Sequence, residues 1–271
     1  MTKNRKGEKW PDIIRIVLPP VLNIGKIGII SRDYRHRYPN GIRDFSHSLP
    51  DVMKLLDEKG CDAVLFSLYS IVPRKSYEPQ SIFNRLKNLK AVFLEEFDDG
   101  EKRKAGRYVV HYQTASGWKE YSFSQVFGTL SGVSKNEIEA FVKSEMPKRI
   151  LGNSCVLLCG ETNGVKYSRQ NKKVEDIFGL KEAIPPKSKV ILNPIHDRMT
   201  RYEMKLKRQF LSKQGRWVIS VWNKGKEDKS GRTRDGKNPP WTIFHNGRDV
   251  SDKASIIGNQ LDLDIGVLDV V

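Results

Sequence analysis

Short apolar runs bounded by Gly, Pro, Asn or Asp recur along the chain, and each such run predicts a strand. Ile13 to Leu18 predicts the first. Leu49 to Glu58 predicts an amphipathic helix: Ser48 is positioned to cap it, Val52, Met53, Leu55 and Leu56 form one apolar face, and Gly60 falls at C′. Ala63 to Phe66 predicts a second strand, so strand, helix and strand suggest a parallel crossover. Ser81 to Leu89 predicts a helix and Ala91 to Phe97 a strand. Tyr108 to Tyr112, a turn at Ser116-Gly117, and Trp118 to Phe123 predict a hairpin. Ser134 with Glu137, and Thr200 with Glu203, have the spacing of capping boxes. Strands follow over Trp217 to Trp222, Trp241 to His245 and Leu261 to Val270, with a turn at Asn246-Gly247.

Two further runs carry the chemistry. Val156-Leu157-Leu158-Cys159 leads into Gly160-Glu161-Thr162-Asn163, and Val190 to Pro194 leads into His196-Asp197-Arg198. Both read as strands buried on two faces that end in polar clusters. Side chains at such ends are held rigidly yet open to a crevice, where layered α/β proteins place their chemistry. One cluster offers a thiol and a carboxylate, the other an imidazole. Each also has a plain structural explanation. A cysteine at a strand end is often a small buried hydrophobe, and His-Asp-Arg fits a turn that caps backbone groups.

Composition narrows the class. With 271 residues and 38% hydrophobic content the chain can bury a core. No apolar run reaches membrane-spanning length, so a cytoplasmic protein with no membrane role is expected. Cys61, Cys155 and Cys159 have no metal-finger spacing and read as reduced thiols, with Cys61 and Cys155 in the core; no cofactor is implied. The formal charge of +16 makes a nucleic acid or other polyanion a candidate partner, although solubility alone also accounts for it. Positive charge is densest in the N-terminal tail and in Lys224 to Lys237, where Lys224, Lys226, Arg232 and Arg234 are candidate contacts. No aromatic residue interleaves with them, as a single-strand platform would require. The expected organisation is a flexible basic tail over 1–11 and a single domain over 12–271.

The order of elements, with Cys159-Gly160-Glu161, Asn193-Pro194, Val221-Trp222-Asn223 and Trp241 to Gly247, resembles the carbon–nitrogen hydrolase (nitrilase) superfamily. The resemblance covers nearly the whole chain. It implies a four-layer αββα sandwich, a Cys159 nucleophile, a small amide-type substrate and pairing of chains through the face that carries the cysteine.

The departures are at the catalytic positions. The family's Glu follows the second strand, where this chain has Ser67-Leu68-Tyr69. Its Lys follows a Tyr past the hairpin, where Tyr121 leads into Ser122-Phe123-Ser124-Gln125; Lys119 precedes that Tyr. Without a positioned base and an oxyanion stabiliser a thiol is nearly inert, each being worth about 10²–10⁴-fold and about 10²–10³-fold. His196 is the expected replacement base, Glu161 or Asp197 its orienter, and Arg198 or Lys166 a source of positive charge, with Asn163 lining the same pocket. Two functions are therefore expected in competition: hydrolysis through a Cys159 thioester, or binding of an anionic partner without the family's catalysis.

Overall fold

A computed structural model describes residues 18–33, 35, 44–73, 79–98, 104–128, 133–197, 202–227, 230–233, 235, 238–258 and 263–270. Two sheets form its centre. The first contains β1 (Lys26–Arg32), β2 (Ala63–Phe66), β3 (Ala91–Asp98), β4 (Lys104–Thr114) and β5 (Gly117–Ser124). The second contains β6 (Ile150–Leu151), β7 (Ser154–Val156), β10 (Val190–Asp197), β11 (Trp217–Asn223), β12 (Trp241–His245) and β13 (Arg248–Asp249). A small ribbon, β8 (Lys166–Ser168) and β9 (Lys173–Glu175), lies apart, and β14 (Ser255–Gly258) and β15 (Leu263–Asp269) return to the first sheet. The orders are β14-β15-β1-β2-β3-β4-β5 and β13-β12-β11-β10-β7-β6. Strands β1, β2 and β3 run parallel, as do β7, β10 and β11.

Three apolar clusters define four layers. Ile27, Ile29, Leu65 and Phe93 of the first sheet meet Val156, Leu158, Leu192 and Ile219 of the second. The outer face of the first sheet packs Ile30, Val64, Val92 and Leu94 against Val52, Met53 and Leu56 of helix α1 (Leu49–Glu58) and Phe83 of α2 (Pro79–Phe83). The outer face of the second packs Cys155, Leu157, Ile191 and Val218 against Ile138 of α3 (Lys135–Ala140), Met146 of α4 (Met146–Arg149), Leu180 of α5 (Leu180–Ala183) and Leu211 of α6 (Tyr202–Leu211). This is the αββα sandwich. Strand alternation explains it: along 155–158, odd residues face the outer helices and even residues the other sheet.

Most elements follow their local sequence. Helix α1 and strands β2 and β12 match their predicted bounds, and Ser134 and Glu137 exchange both hydrogen bonds of the capping box. The helix that begins there continues through a π turn at Phe141–Glu145 into α4.

Other expectations are corrected. Among the described residues the first strand is Lys26–Arg32; the expected strand over Ile13 to Leu18 lies outside them except for Leu18, which is exposed. Gly28 interrupts the β1 run because a Cβ there would lie 2.6 Å from Leu56 Cδ1, so the glycine admits α1 to the sheet. Ser48 makes no side-chain cap, since its dihedrals are helical where a capping residue is extended. The helix predicted over Ser81 to Leu89 is only Pro79–Phe83. Beyond it, the N–H groups of Lys87, Asn88 and Leu89 turn to the Asp57 carboxylate at 3.0, 2.7 and 2.8 Å instead of to helical carbonyls. Thr200 and its capping box lie outside the described residues.

The two sheets are stitched where their parallel strands end. Leu68 N–H, just past β2, donates to Ile195 O of β10, and Asn223 Nδ2 at the end of β11 donates to Leu68 O at 2.7 Å. Ser67 Oγ donates to Asn223 Oδ1, and Ser31 Oγ of β1 to Trp222 O. The ends of β1, β2, β10 and β11 thus meet across the two sheets.

Candidate active site

Strand β7 stops at Val156, and Cys159 opens a 3-10 turn, Cys159–Gly164, rather than ending the strand. Its φ of +35° is strained for a residue with a side chain. Such strain at a sharp strand-to-helix turn lifts a nucleophile out of its surroundings. Cys159 is half-buried, whereas Cys61 and Cys155 are buried and burial pushes both thiols up to about 12. Next to it, Gly160 has no room for a side chain: a Cβ would sit 1.3 Å from Gly128 O.

The turn is anchored from every side. Asn193 Nδ2 donates to Leu157 O at 2.6 Å and to Cys159 O at 3.4 Å, while Ser220 Oγ holds Asn193 Oδ1 at 2.9 Å. The Glu161 carboxylate is fully buried and spends both oxygens on scaffold: it accepts from Arg149 Nη2 at 3.0 Å, Val126 N at 2.9 Å and Leu158 N at 2.8 Å. Burial pushes this carboxyl up to about 7 against the pull of Arg149 and the two backbone donors. The Arg149 guanidinium lies 4.1 Å from the centre of the Phe123 ring and donates to Ser124 O. Asn163 is likewise structural, donating to Gly128 O and accepting from the buried Lys207 Nζ at 2.8 Å. Glu161 and Asn163 fasten the segment Ser124 to Gly128 onto the 159–164 turn.

The imidazole has a different carboxylate. His196 Nε2 and Glu95 Oε2 are 3.0 Å apart, and Glu95 is 1% exposed. The Cys159 side chain lines the same cleft as the His196 ring and acts to raise the imidazole pKa. Burial alone would lower that pKa, but Cys159 and Glu95 overcome it and raise it to about 10. Glu95 lies on β3 at a bulge in the β3–β4 pairing, the kind of irregularity that re-aims a side chain. The loop Ser67 to Ile71 wraps around it. Ser70 N and Ile71 N donate to Glu95 O, Glu95 N donates to Ser70 Oγ, and Tyr69 N donates to Glu95 Oε2 at 2.8 Å.

Cys159 and His196 line one open cleft of about 370 Å³ with Ala105, Gln125, Val126, Phe127 and Gly128. The volume is at the small end for a ligand pocket. Lys119 is exposed on β5 and Lys166 lies over the Phe178 ring. A fully buried cation comes instead from Arg208 on α6, which packs against the 159–164 turn; burial pushes its guanidinium down to about 10, and Cys159 acts to raise it. Lys224 pairs with Asp264, Lys226 and Arg232 are exposed, and Arg198, Arg234 and the Asp197 side chain lie outside the described residues. Among the described residues no three His, Cys, Asp or Glu groups gather as for a metal, and no helix is long and apolar enough to cross a membrane.

The chain is similar in structure to several solved proteins. Over 91% of its length it matches 89% of a carbon–nitrogen hydrolase from Helicobacter pylori G27, at TM-score 0.47 and 11% identity. Over 92% it matches 93% of an amidase of the nitrilase superfamily from Nesterenkonia sp. AN1, at 0.48 and 13%. It also matches 43% of a glutamine-dependent NAD(+) synthetase from Cytophaga hutchinsonii, using 91% of its own length, at 0.48 and 11%. No family profile and no curated protein matches the sequence. Likenesses this distant say nothing of substrate or reaction; the nitrilase-like architecture is carried by the layers and strand ends described above.

Proposed function

We propose that this chain is a divergent carbon–nitrogen hydrolase that cleaves an amide-type bond through a Cys159 thioester, with His196 moving the proton and Glu95 holding His196. The observation that carries this reading is the 3.0 Å contact of His196 Nε2 with the buried Glu95 Oε2 in a cleft that Cys159 also lines.

The steps follow from that order. The sulfur attacks the carbonyl carbon as thiolate, with its proton already held on His196, forming a C–S bond. His196 then gives the proton to the leaving nitrogen, the C–N bond breaks, and amine departs. Water attacks the thioester with His196 taking its proton, and the C–S bond breaks to leave thiolate beside protonated His196 as the acid departs. Glu95 fixes the ring orientation and favours its protonated form. The buried Arg208 supplies positive charge where the family uses a lysine.

The test is amine release from a panel of simple amides and N-carbamoyl compounds, with intact-mass detection of an acyl adduct. Wild type should show turnover and an adduct on Cys159, and Cys159→Ala should show neither. Equal turnover by Cys159→Ala would overturn the mechanism.

A second reading, the holding of a polyanion, rests on the +16 charge and on the exposed Lys226 and Arg232. It needs no chemistry at Cys159.

A further inference from the structure

The loop at which the resemblance expects a catalytic carboxylate carries Tyr69, and it reaches the site in two ways. Its N–H donates to Glu95 Oε2 at 2.8 Å, the same oxygen that holds His196. Its ring lies on the imidazole, with centroids 4.1 Å apart and planes at 43°, and is backed by Phe97 at 5.2 Å. Tyr69 achieves both with a φ of +56°, the left-handed region that a bulky side chain rarely adopts. Neighbouring bonds fix this conformation: Leu68 N to Ile195 O, Ser70 N and Ile71 N to Glu95 O, and Asn223 Nδ2 to Leu68 O. Strain maintained by so many bonds clusters at functional sites.

We infer that Tyr69 is a positioning residue: its backbone orients the Glu95 carboxylate and its ring fixes the tilt of the His196 imidazole against Cys159. The inference rests on the Cys159–His196–Glu95 reading above. It assigns the loop after β2 a role in aligning the base, although the loop has no carboxylate of its own.

Glycine at position 69 removes the ring and also relieves the positive φ. A purely structural tyrosine would therefore show its loss in stability, whereas a positioning residue would show it in Cys159 chemistry. The experiment measures the rate of Cys159 alkylation by iodoacetamide from pH 5 to 10, with thermal melting, for wild type, Tyr69→Phe, Tyr69→Gly and His196→Gln. Wild type and Tyr69→Phe should share one pH–rate curve. Tyr69→Gly should melt no lower, yet react about 10-fold or more slowly at neutral pH with a displaced midpoint, as for other losses of orienting groups. If the wild-type curve is unchanged by His196→Gln, the underlying Cys–His reading fails. If His196→Gln shifts the curve and Tyr69→Gly leaves it in place, only the role of Tyr69 fails.

Discussion

Glu95 Oε2 and His196 Nε2 meet at 3.0 Å across a sequence gap of 101 residues, one from each sheet of the sandwich. In the proposed mechanism the pair stands in for a carboxylate at the end of β2 by using the neighbouring strand. Glu95→Gln keeps the shape but loses the charge. Activity on a turned-over amide should fall by about 10²–10⁴-fold, as for loss of a positioned acid–base group, with a lower melting temperature at neutral pH because a buried pair loses one charge. Steady-state kinetics on both proteins check this. Full activity in Glu95→Gln would remove the carboxylate from the mechanism.

The same pair makes stability depend on pH. The folded pKa of His196, about 10, lies above its ordinary 6.5, so the native state holds this proton more tightly than the unfolded chain. The stabilisation is fully present below about 6.5 and is lost as pH rises towards about 10. Urea midpoints of wild type and His196→Gln should therefore differ most at pH 6 and converge by pH 10. A gap that widens with pH would contradict the assignment.

Reactivity should single out one thiol. Cys61 and Cys155 are buried, and burial pushes both up to about 12, while Cys159 opens on the cleft. Brief iodoacetamide treatment of the native protein, followed by mass mapping, should mark Cys159 alone. Labelling confined to Cys61 would end the catalytic interpretation.

How much of this could be read from the chain depends on distance in sequence. Local signals held where local forces decide: the Ser134–Glu137 box, the 49–58 helix and the hairpin closed by Gly117 all depend on neighbours. Cys159 and His196 were legible because each follows a buried apolar run. Glu95 obeys the same rule, coming directly after Ala91-Val92-Phe93-Leu94, and that signal was present in the chain. What no local pattern encodes is the bulge and the Ser67–Ile71 loop that turn this carboxylate towards a histidine in the other sheet. Glu161, adjacent to the cysteine in sequence, had the better local claim. Its partner, Arg149, comes from a helix whose position only the assembled second sheet determines.

Crowding at Gly160 gives a packing prediction. A Cβ at this position would lie 1.3 Å from Gly128 O, so Gly160→Ala must displace backbone rather than a flexible side chain. The cost should be about 1–3 kcal/mol or more, read as a lower urea midpoint, together with loss of Cys159 labelling selectivity. A midpoint equal to wild type would mean that the 126–128 segment yields freely.

For the polyanion reading, the exposed Lys226 and Arg232 are the informative pair. If they neutralise phosphates, replacing both with Gln should flatten the log–log salt dependence of nucleic-acid affinity by about 2 units, roughly one for each cation removed. Fluorescence anisotropy at several salt concentrations measures the slope. No binding at low salt would leave the charge to solubility.

The fastening of Ser124 to Gly128 onto the 159–164 turn has a mechanical consequence. Arg149 and Glu161 hold one end of the segment, Asn163 and the bare Gly160 the other. The cleft wall and the Cys159 turn are therefore tied together, and a swing of this wall that kept these bonds would carry the sulfur with it.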